Sequence, residues 1–192
     1  MEVDGATNLT ATEATVTNTG NDFSSDVTIT AGANAVITDA NDIKFAAASV
    51  VGGMTILAVA GDVSQSGDLD VDGATDVTAT NITLTDAAND FGGAVTVTAG
   101  GFASITDANT IVFGTSTVVG DLTIVGQKIT VGGDLTAASL IASASGDVGS
   151  DIEFGAFNVN ADSVNLTLSG GDTATIAYNA ATSFNDTAGA AN

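Results

Sequence analysis

Four closely spaced aspartates are the strongest candidates for chemistry in this chain. Residues 68 to 73 have the sequence Asp-Leu-Asp-Val-Asp-Gly, and another aspartate follows three residues later. Oxygen ligands at alternate positions, with a glycine at the sharp turn, are what a calcium-binding loop requires. The predicted calcium ligands are Asp68, Asp70, Asp72 and Asp76. Calcium is the only cofactor that the residue types suggest.

An acidic, solvated strand explains the same aspartates without any ligand. The EF-hand pattern requires a glutamate at the twelfth position, where this chain has Ala79. If Leu69 and Val71 point into a core, the aspartates between and beside them project outward along one edge. The solvated strand is the favoured interpretation, and the calcium site stays the alternative.

Two short motifs occur twice and admit two interpretations. Asn-Asp stands at 21–22 and 89–90, and Asp-Ala-Asn stands at 39–41 and 107–109. They could mark repeated ion sites along the molecule. Turn chemistry is favoured instead, because Asn and Asp tolerate left-handed backbone and bond to their own backbone groups.

The composition excludes most functions that need positive charge or a nucleophile. Lys and Arg total 2 against 23 acidic residues, which gives a net charge of −21, and there is no His and no Cys. Nucleic-acid binding and polybasic membrane contact both need Lys and Arg. Ser-His-Asp triads, cysteine nucleophiles and His-ligated zinc need residues that are absent.

Carboxylate catalysis is the remaining enzyme option, and the composition disfavours it. A glycosidase needs two carboxyl groups in a cleft, one with a raised pKa, usually beside aromatic side chains. The chain has one Tyr and no Trp, and its acidic residues are spread along the sequence. We therefore predict that the protein is not an enzyme. No apolar run is long enough to span a membrane, so membrane insertion is not expected.

A long internal repeat must position all of these residues. Residues 3–7 (Val-Asp-Gly-Ala-Thr) recur at 71–75, and about 31 of the next 54 positions are identical at the same offset of 68. The repeat predicts four segments. They are residues 1–2 as a leader, 3–70 as copy 1, 71–138 as copy 2, and 139–192 as a degenerate third copy with a C-terminal cap or docking segment.

Strict alternation of apolar and polar residues makes the chain all-β. Segments such as Val-Thr-Ile-Thr at 27–30 and Val-Thr-Val-Thr at 95–98 have the period of two that strands require. The alternation predicts outward Thr and an inward set of six residues. These are Val27, Ile29, Val95, Val97, Leu122 and Ile124.

The repeat length favours a solenoid over a string of sandwiches. A β-sandwich needs about 100 residues per domain and usually a buried Trp. A parallel β-helix of about three coils per copy, each of roughly 23 residues, accommodates the small β-branched core. We expect each residue n to lie over residue n+68, and about eight coils to form a rod of about 40 Å.

The repeat sequences resemble those of giant bacterial surface proteins. The segments are Gly67–Thr75, Ile82–Thr98 and Ile105–Asn109, and they are similar to filamentous-haemagglutinin-like and autotransporter-like adhesin repeats. The resemblance covers roughly residues 3–140. It implies a right-handed parallel β-helix, an extracellular or cell-surface location, and a role as a stalk or adhesive shaft. The export signal would then lie outside this chain.

The leading functional hypothesis is a non-catalytic structural segment: an adhesin shaft, stalk or filament subunit of an acidic exoprotein. The alternative is a module that binds calcium or carbohydrate through outward Asp and Thr faces. Ice binding is disfavoured because Thr-x-Thr pairs at 28–30 and 83–85 have uneven spacing.

The expected partners are other copies of the chain, stacked head to tail, or host and matrix carbohydrate or protein. The region from about residue 150 onward contains Phe154, Phe157, Tyr178 and Phe184. Its aromatic side chains are large enough to plug an open core, so we expect it to cap the solenoid or dock another copy.

Overall fold

The chain folds into stacked coils of short parallel strands, as the computed structural model shows for residues 1–145, 151–168, 175–178 and 183–185. Side chains are described up to residue 168. The solenoid has about eight coils of about 20 residues each, with no helix in the described ranges. The predicted all-β parallel β-helix is confirmed, and its coils are shorter than the 23 residues expected.

The strands are two to eight residues long, because a turn follows each short alternating run. In chain order they are β1 (Glu2–Val3), β2 (Thr7–Ala11), β3 (Ala14–Val16), β4 (Asp22–Phe23), β5 (Val27–Ala31), β6 (Ala35–Asp39), β7 (Ile43–Val50), β8 (Met54–Ala58), β9 (Val63–Gln65), β10 (Leu69–Val71), β11 (Thr75–Ala79), β12 (Ile82–Leu84), β13 (Asp90–Phe91), β14 (Ala94–Ala99), β15 (Ala103–Thr106), β16 (Thr110–Phe113), β17 (Ser116–Val118), β18 (Asp121–Gly126), β19 (Lys128–Val131), β20 (Leu135–Thr136), β21 (Ser139–Ala144), β22 (Asp151–Phe154), β23 (Asn158–Asn160), β24 (Ser163–Leu168), β25 (Thr175–Tyr178) and β26 (Ser183–Asn185).

Each coil has three sides, which we number in chain order. Side 1 stacks β2, β5, the second half of β7, β10 and β13. Side 2 stacks β3, β6, β8, β11 and β14, and then divides between β16 and β17. Side 3 stacks the first half of β7, β9, β12, β15, β18, β21 and β24.

One continuous apolar core runs along the axis, from Ala14 to Ala161. The six residues predicted to point inward are each at most 1% exposed, so that prediction is confirmed. Thr28 and Thr96, between them, are partly exposed. The narrow interior is filled mainly by Val, Ile, Leu and Ala, whose branched side chains suit a pleated, buried surface.

Thr75 departs from the outward-threonine rule. It is the inward first residue of β11, is 0% exposed, and lies in register between Met54 and Val95. Its hydroxyl Oγ1 has no hydrogen-bond partner, and the same is true of Thr7, its counterpart in copy 1. The strand period therefore fixes the face of a residue, and here that face holds a polar atom.

The two sequence copies are not stacked in register, so the expectation that residue n lies over n+68 is wrong. Val27 pairs with Thr7 on side 1, whereas Val95 pairs with Thr75 on side 2. In the same way Ala14 on side 2 corresponds to Ile82 on side 3. Since three coils use only about 60 residues, an offset of 68 carries each residue three coils along and one side around.

The corner between sides 1 and 2 requires a glycine where successive coils approach closely. The Gly73 amide donates to the Gly52 carbonyl oxygen at 3.0 Å. A Cβ at Gly73 would lie 2.6 Å from the Gly52 carbonyl carbon. This contact is closer than a real Cβ tolerates, so the backbone spacing at this corner depends on glycine.

The stack continues past the second copy with longer coils. Leu140 pairs with Val164, 24 residues later, and β22 pairs with both β19 and β25. Phe154 is buried in β22 in register with Val131. The described strands of this region therefore extend the solenoid. The side chains of Tyr178 and Phe184 lie outside the described residues, so the capping or docking role stays a prediction.

Candidate functional site

The structure places the four predicted calcium ligands on two sides of one coil. All four are exposed, while Leu69 and Val71 between them are buried. Asp70 belongs to β10 on side 1, and Asp76 belongs to β11 on side 2, beyond the corner at Gly73. The described residues contain no group of three or more His, Cys, Asp or Glu that could hold a metal ion. Calcium binding at Asp68, Asp70, Asp72 and Asp76 stays a prediction.

The neighbours of these aspartates in adjacent coils are not a matched ligand set. Asp70 lies in register with Ser49 on one side and Asp90 on the other. Asp76 lies between Thr55 and Thr96. Like charges directly opposite each other repel, so the Asp70–Asp90 pair contributes to the electrostatic strain of this acidic molecule.

The Asp-Ala-Asn motif forms a hydrogen-bonded corner in both copies. The Asp39 carboxylate accepts the Phe23 amide and the Asn41 amide, each at 2.7 Å. Asp107 accepts the Phe91 amide and the amide two residues later at the same distances. Burial raises the pKa of the Asp107 carboxyl, and these two backbone bonds oppose that shift. This geometry is the turn chemistry that the sequence favours.

Asn89 ties three successive coils together from inside a corner. Its Oδ1 accepts the Leu69 amide at 2.9 Å and the Gln65 Nε2 at 2.7 Å. Its Nδ2 donates to the Thr106 carbonyl oxygen at 3.0 Å. Sequence reasoning missed Gln65, because a single glutamine shows no pattern until its coil neighbours are known.

Both lysines of the sequence form ion pairs. The Lys44 Nζ lies 3.0 Å from Asp26 Oδ1, and hydrogen bonding from Lys44 lowers the pKa of the Asp26 carboxyl. The Lys128 Nζ lies 2.8 Å from Glu153 Oε1 and 3.8 Å from an Asp151 oxygen. Hydrogen bonding to Glu153 raises the pKa of Lys128.

A polar cavity of about 280 Å³ opens at one corner of copy 1. Carboxylates, hydroxyls, an amide and an ammonium group line it. The lining residues are Asp22, Phe23, Ser24, Ser25, Asp26, Asn41, Asp42 and Lys44. The sequence analysis did not identify it, although the copies could have revealed it. In copy 2 the Ser-Ser-Asp at 24–26 is replaced by Gly-Gly-Ala at 92–94.

Surface threonines form one aligned column on side 2. Thr78, Thr98, Thr117 and Thr136 occupy successive coils in register and are all exposed. Two residues earlier the same coils carry Asp, Thr, Thr and Asp. Thr-x-Thr pairs therefore occur in only two of these four coils, which is too short an array to favour ice binding.

Comparison with known proteins gives one match. Residues 32–98 match a family model described as repeats of unknown function (DUF5649). This segment is about a third of the chain and extends from within β5 into β14, across the junction of the two copies. No curated protein and no solved structure matches the chain. The described residues include no helix long and apolar enough to cross a membrane.

Proposed function

We propose that the chain is a non-catalytic structural segment of an acidic bacterial cell-surface or secreted protein. It would serve as an adhesin shaft, a stalk or a filament subunit. The observation that carries the proposal is the single apolar core that passes through every coil from Ala14 to Ala161. Parallel backbone ladders join each coil to the next, so the molecule resists bending and stretching along its axis.

The buried polar groups support this role, because their hydrogen bonds join coils. Asp39, Asp107 and Asn89 are all less than 5% exposed, and each accepts or donates bonds to backbone of its own or a neighbouring coil. A catalytic carboxylate must reach a substrate. The Asp107 carboxyl, although its pKa is raised, has both oxygens engaged by backbone amides.

The surface composition favours an extracellular location and contact between copies at the ends. A net charge of −21 keeps long sides of neighbouring molecules apart. The end coils present unpaired strand edges, which are the surfaces that recruit further strands. Head-to-tail stacking of copies is therefore the self-association that we propose.

Thermal melting with and without calcium tests the proposal against the calcium-module alternative. A structural shaft should melt at the same temperature in EDTA and in millimolar calcium at matched ionic strength. A variant with Asn at 68, 70, 72 and 76 serves as the control. If calcium raises the melting temperature of the natural chain and not of this variant, the chain is a calcium module.

A further inference from the structure

We propose that the polar cavity of copy 1 binds a small hydroxylated ammonium ion, of which an amino sugar is the simplest example. The cavity is built by β4, the turn after it, and the start of β7. At about 280 Å³ it is smaller than the usual range for drug-sized ligands. Its occupant is therefore a single small molecule.

The cavity lining is specific to copy 1, although both copies build the same corner. Phe23 in copy 1 and Phe91 in copy 2 donate their amides to buried aspartates at the same distance of 2.7 Å. The corner thus forms with either set of surrounding residues. From copy 1 to copy 2, the lining changes as follows: Ser24 to Gly92, Ser25 to Gly93, Asp26 to Ala94, Asp42 to Thr110 and Lys44 to Val112.

These five differences remove every charged group of the lining except that of Asp22, whose counterpart is Asp90. Because the fold does not need the polar set, its presence around a cavity requires another explanation. A ligand that uses those groups supplies one.

The charge of the lining selects a cation. Three carboxylates and one ammonium give the cavity a net charge of about −2, and the molecule as a whole carries −21. Lys44 is already paired with Asp26, which also accepts the Ser66 hydroxyl at 3.3 Å. Asp22 and Asp42 form no ion pair within the described part of the chain. A ligand ammonium can therefore donate charge-assisted hydrogen bonds to them.

The remaining groups suit ligand hydroxyls. Ser24 and Ser25 can each donate and accept, and the Asn41 amide can do both through different atoms. Phe23 is only 3% exposed, so it offers no ring face for stacking. Selectivity must come from the carboxylates and from hydrogen bonds, which favours a ligand with an ammonium beside hydroxyl groups.

Isothermal titration calorimetry with glucosamine, glucose and N-acetylglucosamine tests the proposal at constant ionic strength. These sugars differ chiefly in the ammonium group. We expect glucosamine to bind with one site per chain, and the two uncharged sugars to give no saturable heat. Asp22→Asn should weaken glucosamine binding about tenfold, since it removes a charge-assisted bond. The matched control Asp90→Asn removes the same charge from copy 2 and should leave the affinity unchanged.

An exchange variant provides a second test. Replacing residues 24–26, 42 and 44 by their copy 2 counterparts should abolish binding while preserving the circular dichroism spectrum and the melting temperature. Three results would each overturn the proposal: no saturable glucosamine binding, equal binding of glucose, or equal weakening by Asp22→Asn and Asp90→Asn. The last result would mean that the net charge of the molecule, rather than the cavity, attracts the cation.

Discussion

Thr75→Val is expected to make the protein more stable. The Thr75 side chain is 0% exposed and its Oγ1 has no hydrogen-bond partner. A buried hydroxyl that forms no bond costs about 1–3 kcal/mol in lost hydration. Valine has nearly the same shape and removes that cost, because a methyl group takes the place of the hydroxyl between Met54 and Val95.

The expected gain is about 2 kcal/mol in the free energy of unfolding. For a chain of this length, such a gain corresponds to a rise of about 4–8 °C in melting temperature. Equilibrium urea denaturation followed by circular dichroism measures it, and the slope with denaturant should stay unchanged because the surface exposed on unfolding is the same. Thr7→Val in copy 1 should give a smaller gain, since Thr7 is partly exposed.

Thr78→Val is the matched control on the same strand. Thr78 is exposed, so its hydroxyl keeps its hydration and the substitution should change stability by less than about 0.5 kcal/mol. The reasoning would be refuted if Thr75→Val were less stable than the natural chain, or if the two substitutions gave equal effects. In either case the Thr75 hydroxyl would have to be satisfied within the core.

Three further perturbations test the corners and the charge. Gly73→Ala should destabilise the chain by several kcal/mol in urea denaturation, because its Cβ would lie 2.6 Å from neighbouring backbone, whereas Gly100→Ala, with 3.9 Å of clearance, should be tolerated. Equal effects of the two would contradict the close approach. Asp107→Asn should cost about 1–3 kcal/mol at neutral pH, since an amide cannot accept both backbone N–H groups. Because burial raises the pKa of Asp107 above its unfolded value, its stabilising contribution is complete below the unfolded pKa and is lost as pH rises through the folded pKa. Stability measured from about pH 7 down to about pH 4 should therefore rise less in this variant than in the natural chain, and parallel pH profiles would exclude the effect. Raising sodium chloride from about 10 mM to about 150 mM should increase the melting temperature by screening a net charge of −21, and a flat response would show that self-repulsion does not limit stability.

The sequence by itself determined the strand class and the face of most residues. Alternation of period two is a local property of an extended chain, so Val27, Ile29, Val95 and Val97 could be assigned to the core without knowing their neighbours. The repeat length and the small β-branched residues likewise favoured a solenoid. The turn role of Asp39 was foreseeable because an aspartate side chain bonds to backbone close to it in sequence.

Only the tertiary structure decided which residues meet across coils. The three sides are nearly equivalent alternating strands, so the sequence repeat does not show how many residues complete a coil. That number is set by the corners, where Gly73 permits close approach and Asp107 fixes the turn. A coil of about 20 residues carries the 68-residue repeat one side further around. The burial of the Thr75 hydroxyl, the Gln65–Asn89 contact and the copy 1 cavity all follow from that stacking. They depend on contacts between residues 16 or more positions apart, which no local pattern encodes.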